Sequence, residues 1–216
     1  MKPNPTFINY MFIIILLSGC ASGKRQHRKP VVYLYPKDTI DISVQVNYKG
    51  KLTVTYPEYK NKWNVIAYPD GKLINKADSM EYSYLFWEGE SAAKESQSCT
   101  NGFVVKGEES HTFLQTKLKE IGLTPKEYNE FIVFWYPILK ENNYNFIRFR
   151  VGKEYDEIST MNIIPKPDAM LRVFMDYKPV ENFYSIEPQS FPMFERKGFT
   201  VVEWGGGAIE EENLNN

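Results

Sequence analysis

The chain of 216 residues is 43% hydrophobic and 15% aromatic, and it carries a formal net charge of −1 at pH 7. These proportions are ample for a hydrophobic core and predict one compact globular body of roughly 175 residues. No basic face recurs along that body, which disfavours nucleic acid as a partner.

The N-terminus has the pattern of an export signal. Lys2 precedes an unbroken apolar run over residues 11–17, which is too short to span a bilayer as a helix. The run ends in Leu17-Ser18-Gly19-Cys20, which resembles the lipobox of bacterial lipoproteins. We therefore predict a signal peptide over residues 1–19 and acylation of Cys20, which would anchor the chain to a membrane outside the cytoplasm. An ordinary secretory signal or an uncleaved N-terminal anchor is the alternative.

The sequence after Cys20 predicts a short tether followed by one domain. Residues 20–29 contain four basic side chains, which either attract anionic headgroups or form a solvated spacer. Ala21 stands where an aspartate would favour the inner membrane, so we expect placement on the outer membrane or cell surface. We assign residues 30–206 to a single globular domain, with a sub-boundary near residues 90–107 left open. Residues 207–216 are predicted to form a flexible acidic tail.

The N-terminal half of this domain has the pattern of short strands separated by turns. Runs rich in Val, Ile, Tyr and Thr predict strands at residues 31–35, 40–48, 51–56, 63–68 and 82–87. Within the second run, Ile42, Val44 and Val46 alternate with polar residues and should share one face of a sheet. This half is therefore expected to form a sandwich or an open barrel-like sheet.

From residue 108 the hydrophobic period changes to that of a helix. Ser110 is the predicted N-cap of a first helix and Gly122 its predicted end. Thr124-Pro125-Lys126-Glu127 predicts the start of a second helix, since it combines an N-cap residue, Pro at the first helical position and a capping-box acid. Residues 131–136 fit either a buried strand or the continued helix, and Pro137 predicts an ending.

Further strands are predicted at residues 146–151, 158–164, 171–177 and 199–204. Together with one or two short helices around residues 108–142, they predict an α+β fold that is predominantly antiparallel β.

One cysteine and one histidine form the first candidate catalytic pair. If Cys20 is acylated, Cys99 has no intramolecular disulfide partner, and His111 is the sole histidine beyond the tether. A nucleophilic cysteine needs a base or a positive environment to form the thiolate, so Cys99 and His111 are a candidate dyad. The alternative is an inert cysteine and a surface histidine.

Two acidic residues beside tryptophans form the second candidate site. Trp87-Glu88-Gly89 and Glu203-Trp204-Gly205 each place an acid next to a tryptophan near a strand end, where glycines let a ligand approach the backbone. Two carboxylates can flank a glycosidic bond in a glycosidase, and Trp87 and Trp204 would stack on sugar. Without a raised pKa on one acid, the same aromatics suit simple glycan binding. The alternative is two solvated acids beside core tryptophans.

Metal and cofactor motifs are weak. The scattered histidine, cysteine and acidic residues have no zinc-type spacing and no EF-hand pattern, so we predict no metal and no cofactor. Asp168 and Asp176 flank a strand, where turn and surface roles are much commoner than calcium binding.

Four segments carry a resemblance to a known family. They are Lys29-Pro30-Val31-Val32-Tyr33-Leu34-Tyr35-Pro36, residues 82–89, residues 129–135 and residues 196–204. Together they resemble a bacterial family of uncharacterised exported proteins and lipoproteins. The resemblance covers most of residues 29–206 and implies a single domain, but it implies no activity and no catalytic residue.

Three hypotheses on function stay open. We favour a non-enzymatic envelope lipoprotein whose β-rich body binds a cell-wall polymer, a glycan or a protein partner, because the aromatic content is high while catalytic spacing is weak. One alternative is a wall-directed hydrolase using Cys99 with His111 or Glu88 with Glu203. The other is a structural scaffold of the envelope whose aromatic residues all lie in the core.

Overall fold

A computed structural model describes residues 25–91 and 100–209. The predicted signal peptide, Cys20, Cys99 and most of the predicted tail lie outside these residues. The described part of the chain contains twelve strands and two α-helices. The strands are β1 Arg25–Tyr35, β2 Ile40–Tyr48, β3 Lys51–Tyr56, β4 Trp63–Ala67, β5 Leu73–Asn75, β6 Glu81–Tyr82, β7 Leu85–Ser91, β8 Phe103–Lys106, β9 Tyr144–Val151, β10 Ser159–Ile164, β11 Ala169–Val180 and β12 Thr200–Ala208, and the helices are α1 Ser110–Ile121 and α2 Pro125–Leu139.

The strands form two sheets. The larger has seven strands in the order β3-β7-β1-β12-β11-β9-β8, and the smaller has five in the order β10-β2-β4-β5-β6. All neighbouring strands are antiparallel except β11 and β12, which run parallel. Neither sheet closes into a barrel within the described residues.

The seven-stranded sheet is the middle layer of three, as its central strand β1 illustrates. Val31 and Tyr33 pack with the two helices, whereas Val32 and Leu34 pack with the five-stranded sheet. All four side chains are fully buried. Because side chains alternate across a strand, a strand covered on both sides reads as a continuous apolar run, as Val31-Val32-Tyr33-Leu34 does.

These features confirm the α+β class with predominantly antiparallel β-structure. The strands of the N-terminal half are divided between the two sheets. Strands from both sides of residues 92–99 lie in the seven-stranded sheet. The strands extend beyond the predicted domain limits of residues 30 and 206, because β1 begins at Arg25 and β12 ends at Ala208. Residues 25–27 pair with β7, so part of the predicted tether is strand.

Helix α1 ends as predicted but starts differently. Gly122 has φ 117°, and its N–H donates to the carbonyls of Leu118 and Lys119, which is the usual glycine helix end. Ser110 is already inside the helix, because a 3₁₀ turn over Gly107–Glu109 leads into it.

Helix α2 begins with the predicted capping box, in which the N–H of Thr124 donates to Glu127 at 2.8 Å. Residues 131–136 belong to the helix, with Phe131 and Trp135 one turn apart on its buried face. The predicted ending at Pro137 was wrong, because the helix continues to Leu139. Pro137 lies in the last turn, where it removes a single backbone hydrogen bond on the exposed side of the helix.

Candidate functional site

Glu203 lies in the interior between the two sheets. Its side chain is fully buried. Oε2 accepts a hydrogen bond from Nε of Arg172 at 2.7 Å, and Oε1 accepts one from Nε1 of Trp87 at 3.0 Å. Burial raises the pKa of Glu203, while Arg172 and Trp87 oppose that rise by stabilising the carboxylate.

Arg172 is held on several sides. Nη1 donates to Oδ1 of Asp156 at 2.5 Å and to the carbonyl of Ser159 at 2.7 Å, and Nη2 donates to Oγ of Ser159 at 2.8 Å. The guanidinium carbon lies 4.3 Å from the ring centroid of Tyr155. Glu203 therefore belongs to a paired polar network that runs from the interior to Asp156, whose side chain is 48% exposed.

Glu88 lies on the other face of the seven-stranded sheet. In β7, Trp87 packs towards the five-stranded sheet, so Glu88 projects towards the helices, where Oε1 accepts the N–H of Lys29 at 3.1 Å. The structure therefore does not bring Glu88 and Glu203 together. A glycosidase needs both carboxylates beside one bond, and this geometry does not provide that arrangement for Glu88 and Glu203.

The two tryptophans are core residues. Trp87 and Trp204 are fully buried on opposite faces of the sheet, and the Trp204 ring packs edge-on against Phe131 with centroids 5.2 Å apart. A Cβ at Gly206 would lie 2.6 Å from the Trp135 ring. In this structure neither Trp87 nor Trp204 presents an exposed ring to a ligand, and Gly206 provides room for Trp135.

His111 is exposed in the first turn of α1. Its Nδ1 lies 3.1 Å from the carbonyl oxygen of Glu108, and its ring centroid lies 4.9 Å from that of Tyr136. Cys99 lies outside the described residues, so the Cys99–His111 dyad stays a prediction.

Asp168, which precedes β11, and Asp176, which lies within it, have ordinary structural partners. Asp168 accepts the N–H of Phe199 at 2.7 Å, and Asp176 accepts Nε of Arg150 at 2.7 Å. In the part of the chain that the structure describes, no group of three or more His, Cys, Asp and Glu side chains is placed to hold a metal ion.

An open groove runs beside β8, at one edge of the seven-stranded sheet. We call it the edge groove. A cavity of about 570 Å³ lies between β8, the start of α1 and the side chains of Tyr144 and Phe183. A second cavity of about 320 Å³ shares Phe113 and Phe183 with the first and continues along residues 184–188.

Exposed aromatic rings and charged groups line the edge groove. The Phe183 side chain is 64% exposed and that of Tyr184 is 43% exposed. The Phe183 ring lies 6.3 Å from the ring of Tyr144. Lys106, Glu108, Glu109 and His111 supply charge and hydrogen-bonding capacity. Of the residues singled out from the sequence, the groove contains His111.

The sequence analysis did not single out Phe183 and Tyr184 as site residues. Both lie in the long connection between β11 and β12, over residues 181–199. The N–H of Gly102 donates to the carbonyl of Glu187 at 2.8 Å, which holds this connection beside β8. Its length and aromatic content were the available signal, since long ordered loops are commonly functional.

A separate pocket of about 470 Å³ lies where β1, β7 and α2 meet. We call it the Lys29 pocket. Its lining residues all come from segments that carry the family resemblance, and they are Lys29, Tyr84, Asn129, Glu130, Val133 and Phe134. Beside it, the Tyr33 hydroxyl donates to Oε2 of Glu130 at 2.9 Å. Burial, and then the Glu130 carboxylate, raise the pKa of Tyr33.

None of the helices that the structure describes is long and apolar enough to cross a membrane. No family model matches the chain, and no solved structure matches it. The chain is 40% identical over 90 residues to a Butyrivibrio fibrisolvens protein described as "Uncharacterized protein in bglA 3'region". The match takes in 37% of this chain and 92% of that protein. The chain therefore belongs to the same family as this Butyrivibrio fibrisolvens protein.

Proposed function

We propose that the protein is a membrane-anchored lipoprotein of the bacterial envelope, and that its body is a non-enzymatic module that binds a cell-wall glycan in the edge groove. The observation that carries this proposal is the row of aromatic rings along that groove, formed by the exposed Phe183 and Tyr184 and the half-buried Tyr144. The anchor rests on the Leu17-Ser18-Gly19-Cys20 pattern.

The shape of the groove favours a chain-like ligand. Two cavities that share side chains form one open trough along β8, which suits an extended polymer better than a compact cofactor. Aromatic faces bury the apolar face of a sugar ring, while Glu108, Glu109 and His111 can bond its hydroxyls. A scaffold whose aromatic residues all lie in the core would need no such groove.

The anchor would keep the body close to the membrane. Arg25, where β1 begins, follows Cys20 by five positions along the chain. Fully extended, such a link spans at most about 18 Å. An acylated Cys20 would therefore hold the domain near the membrane surface, with the wall within its reach.

A wall-directed hydrolase that uses Cys99 and His111 is the second candidate. The observation that favours it is the position of His111 in the edge groove, where an imidazole could act as the base for a nearby thiol.

The test is sedimentation of the purified full-length protein, held in detergent, with cell-wall sacculi. Phe183→Ala removes the most exposed ring of the groove, and Tyr144→Ala removes its neighbour. Met193→Ala is the matched control, because the Met193 side chain is 95% exposed and lies outside the groove lining. Fragments released into the supernatant are measured in the same samples.

We expect the wild-type protein and Met193→Ala to sediment with sacculi, and both groove variants to sediment several-fold less, with no fragments released. Fragment release that is lost in Cys99→Ala would favour the hydrolase. Equal sedimentation of Phe183→Ala, Tyr144→Ala and the wild-type protein would exclude the edge groove as the binding site.

A further inference from the structure

Strand β1 contains a bulge at Lys29. Its pairing with β12 slips between Arg28 and Val31, and its pairing with β7 slips between His27 and Val31. Lys29 itself has φ 55°, a left-handed conformation that is uncommon for a residue with a side chain. Bulges redirect side chains and are frequent beside functional sites. Here the bulge directs Lys29 into the pocket that bears its name.

The side chain of Lys29 ends among three aromatic rings. Its Nζ lies 5.7 Å from the ring centroid of Tyr84, 5.9 Å from that of Phe86 and 5.5 Å from that of Phe134. The three distances are nearly equal, so the three rings flank the ammonium together, and we call them the aromatic cage. Each distance is within the range of a cation–π contact.

No carboxylate among the described residues forms an ion pair with the Lys29 ammonium. Glu88 instead accepts the backbone N–H of Lys29, and Glu130 accepts the Tyr33 hydroxyl. The cage therefore holds its cation through ring faces. Since ring faces and two nearby carboxylates repel an anion, the surroundings favour a positive charge.

The cage opens on unfilled space. The Lys29 pocket has a volume of about 470 Å³, which lies within the range of small-molecule sites. Val133, which is 76% exposed, stands at its mouth, and Glu130 and Asn129 supply polar groups to its wall. A lysine side chain is flexible enough to leave the cage for solvent.

From these contacts we propose that the Lys29 pocket is a binding site for an organic ammonium group, and that the side chain of Lys29 is its built-in competitor. An external ammonium enters the cage formed by Tyr84, Phe86 and Phe134 when the Lys29 side chain moves out. The pocket then holds the remainder of the ligand, and Glu130 adds charge attraction. This site is separate from the edge groove and does not depend on the proposed glycan binding.

The test is calorimetric titration of the full-length protein, in detergent, with choline, with n-butylammonium and with butyrate. Lys29→Met removes the internal ammonium but keeps a side chain of similar length. Lys29→Arg keeps a cation in the cage. Lys72→Met is the matched control, because Lys72 lies 4.2 Å from the single ring of Tyr68 at another site. Circular dichroism of each variant checks that it is folded.

We expect Lys29→Met to bind choline and n-butylammonium roughly tenfold more tightly than the wild-type protein. This factor applies if Lys29 fills the cage about nine-tenths of the time, because the cage is then open to a ligand in about one molecule in ten. Lys29→Arg and Lys72→Met should bind as weakly as the wild-type protein. Adding Phe134→Ala to Lys29→Met should abolish the gain, because it removes one wall of the cage. The proposal is overturned if folded Lys29→Met binds neither cation more tightly than the wild-type protein. Binding of butyrate that depends on Lys29 would also overturn it, because the pocket would then be an anion site.

Discussion

Replacing Arg172 by methionine should destabilise the fold strongly. The Arg172 side chain is 3% exposed, and its Nε donates to the fully buried Glu203. The substitution keeps much of the apolar stem but leaves the Glu203 carboxylate in the interior without its cationic partner, while Nε1 of Trp87 still donates to it. Removing one partner of a buried ion pair costs about 3–5 kcal/mol of unfolding free energy.

Arg148→Met is the matched control for that substitution. Arg148 lies on β9 and also pairs with a glutamate, Glu154, but the Glu154 side chain is 50% exposed. A pair that is open to solvent contributes about 1 kcal/mol or less, because water screens its charges. The two arginine variants should therefore differ by at least about 2 kcal/mol.

The loss of unfolding free energy caused by Arg172→Met should also depend on pH. Burial already raises the pKa of Glu203, and loss of the guanidinium raises it further. An acid whose pKa is higher in the folded state than in the unfolded state stabilises the fold at low pH, and this stabilisation is lost as the pH rises through the folded-state value. The loss of unfolding free energy in Arg172→Met, relative to the wild-type protein, should therefore be smaller at about pH 5 than at about pH 8.

The assay is urea denaturation followed by tryptophan fluorescence at both pH values. Adding Glu203→Gln to Arg172→Met removes the buried charge, so it should recover part of the lost stability and abolish the extra pH dependence. The reasoning is refuted if Arg172→Met costs no more than Arg148→Met, or if its deficit is the same at both pH values.

Three further predictions concern packing, capping and the anchor. Gly206→Ala places a Cβ 2.6 Å from the Trp135 ring and 2.9 Å from the backbone oxygen of Met175, so it should cost about 1–3 kcal/mol in urea denaturation; an unchanged midpoint would contradict the close packing. Glu127→Ala removes the acceptor of the Thr124 N–H and the partner of a nearby arginine, and it should cost about 1.5–3 kcal/mol by the same measurement, whereas a loss below about 0.5 kcal/mol would argue against the capping role. Cys20→Ser should abolish acylation, measured by mass spectrometry, and release the protein from the membrane fraction; a variant that still sediments with lipid would contradict the predicted anchor.

The elements that the sequence predicted well depend on local rules. The bounds of β2 and β3 agree with the expected runs over residues 40–48 and 51–56, because alternation and turn residues act within a few positions. The end of α1 at Gly122 and the capping box of α2 were predicted from single residues for the same reason. The extent of α2 was underestimated, because burial of Phe131 and Trp135 outweighs the bond that Pro137 removes.

The candidate sites were harder to predict, because they depend on which residues from distant segments meet. Glu88 and Glu203 each lie next to a tryptophan and within two residues of a glycine, yet one faces the helices and the other the five-stranded sheet. The edge groove requires the 181–199 connection to lie beside β8, and no local pattern indicates that contact.

By itself, the sequence determined the α+β class, most strand positions and both helix starts to within a few residues, because propensity, period and capping operate between near neighbours. It also predicts the lipid anchor, which is a pattern in consecutive residues at the N-terminus. Tertiary structure alone decided which acids are buried, which aromatic rings are exposed and where Lys29 is directed. The physical reason is that a strand buries two opposite faces in two different cores, and only the packing of the layers assigns each side chain to one of them.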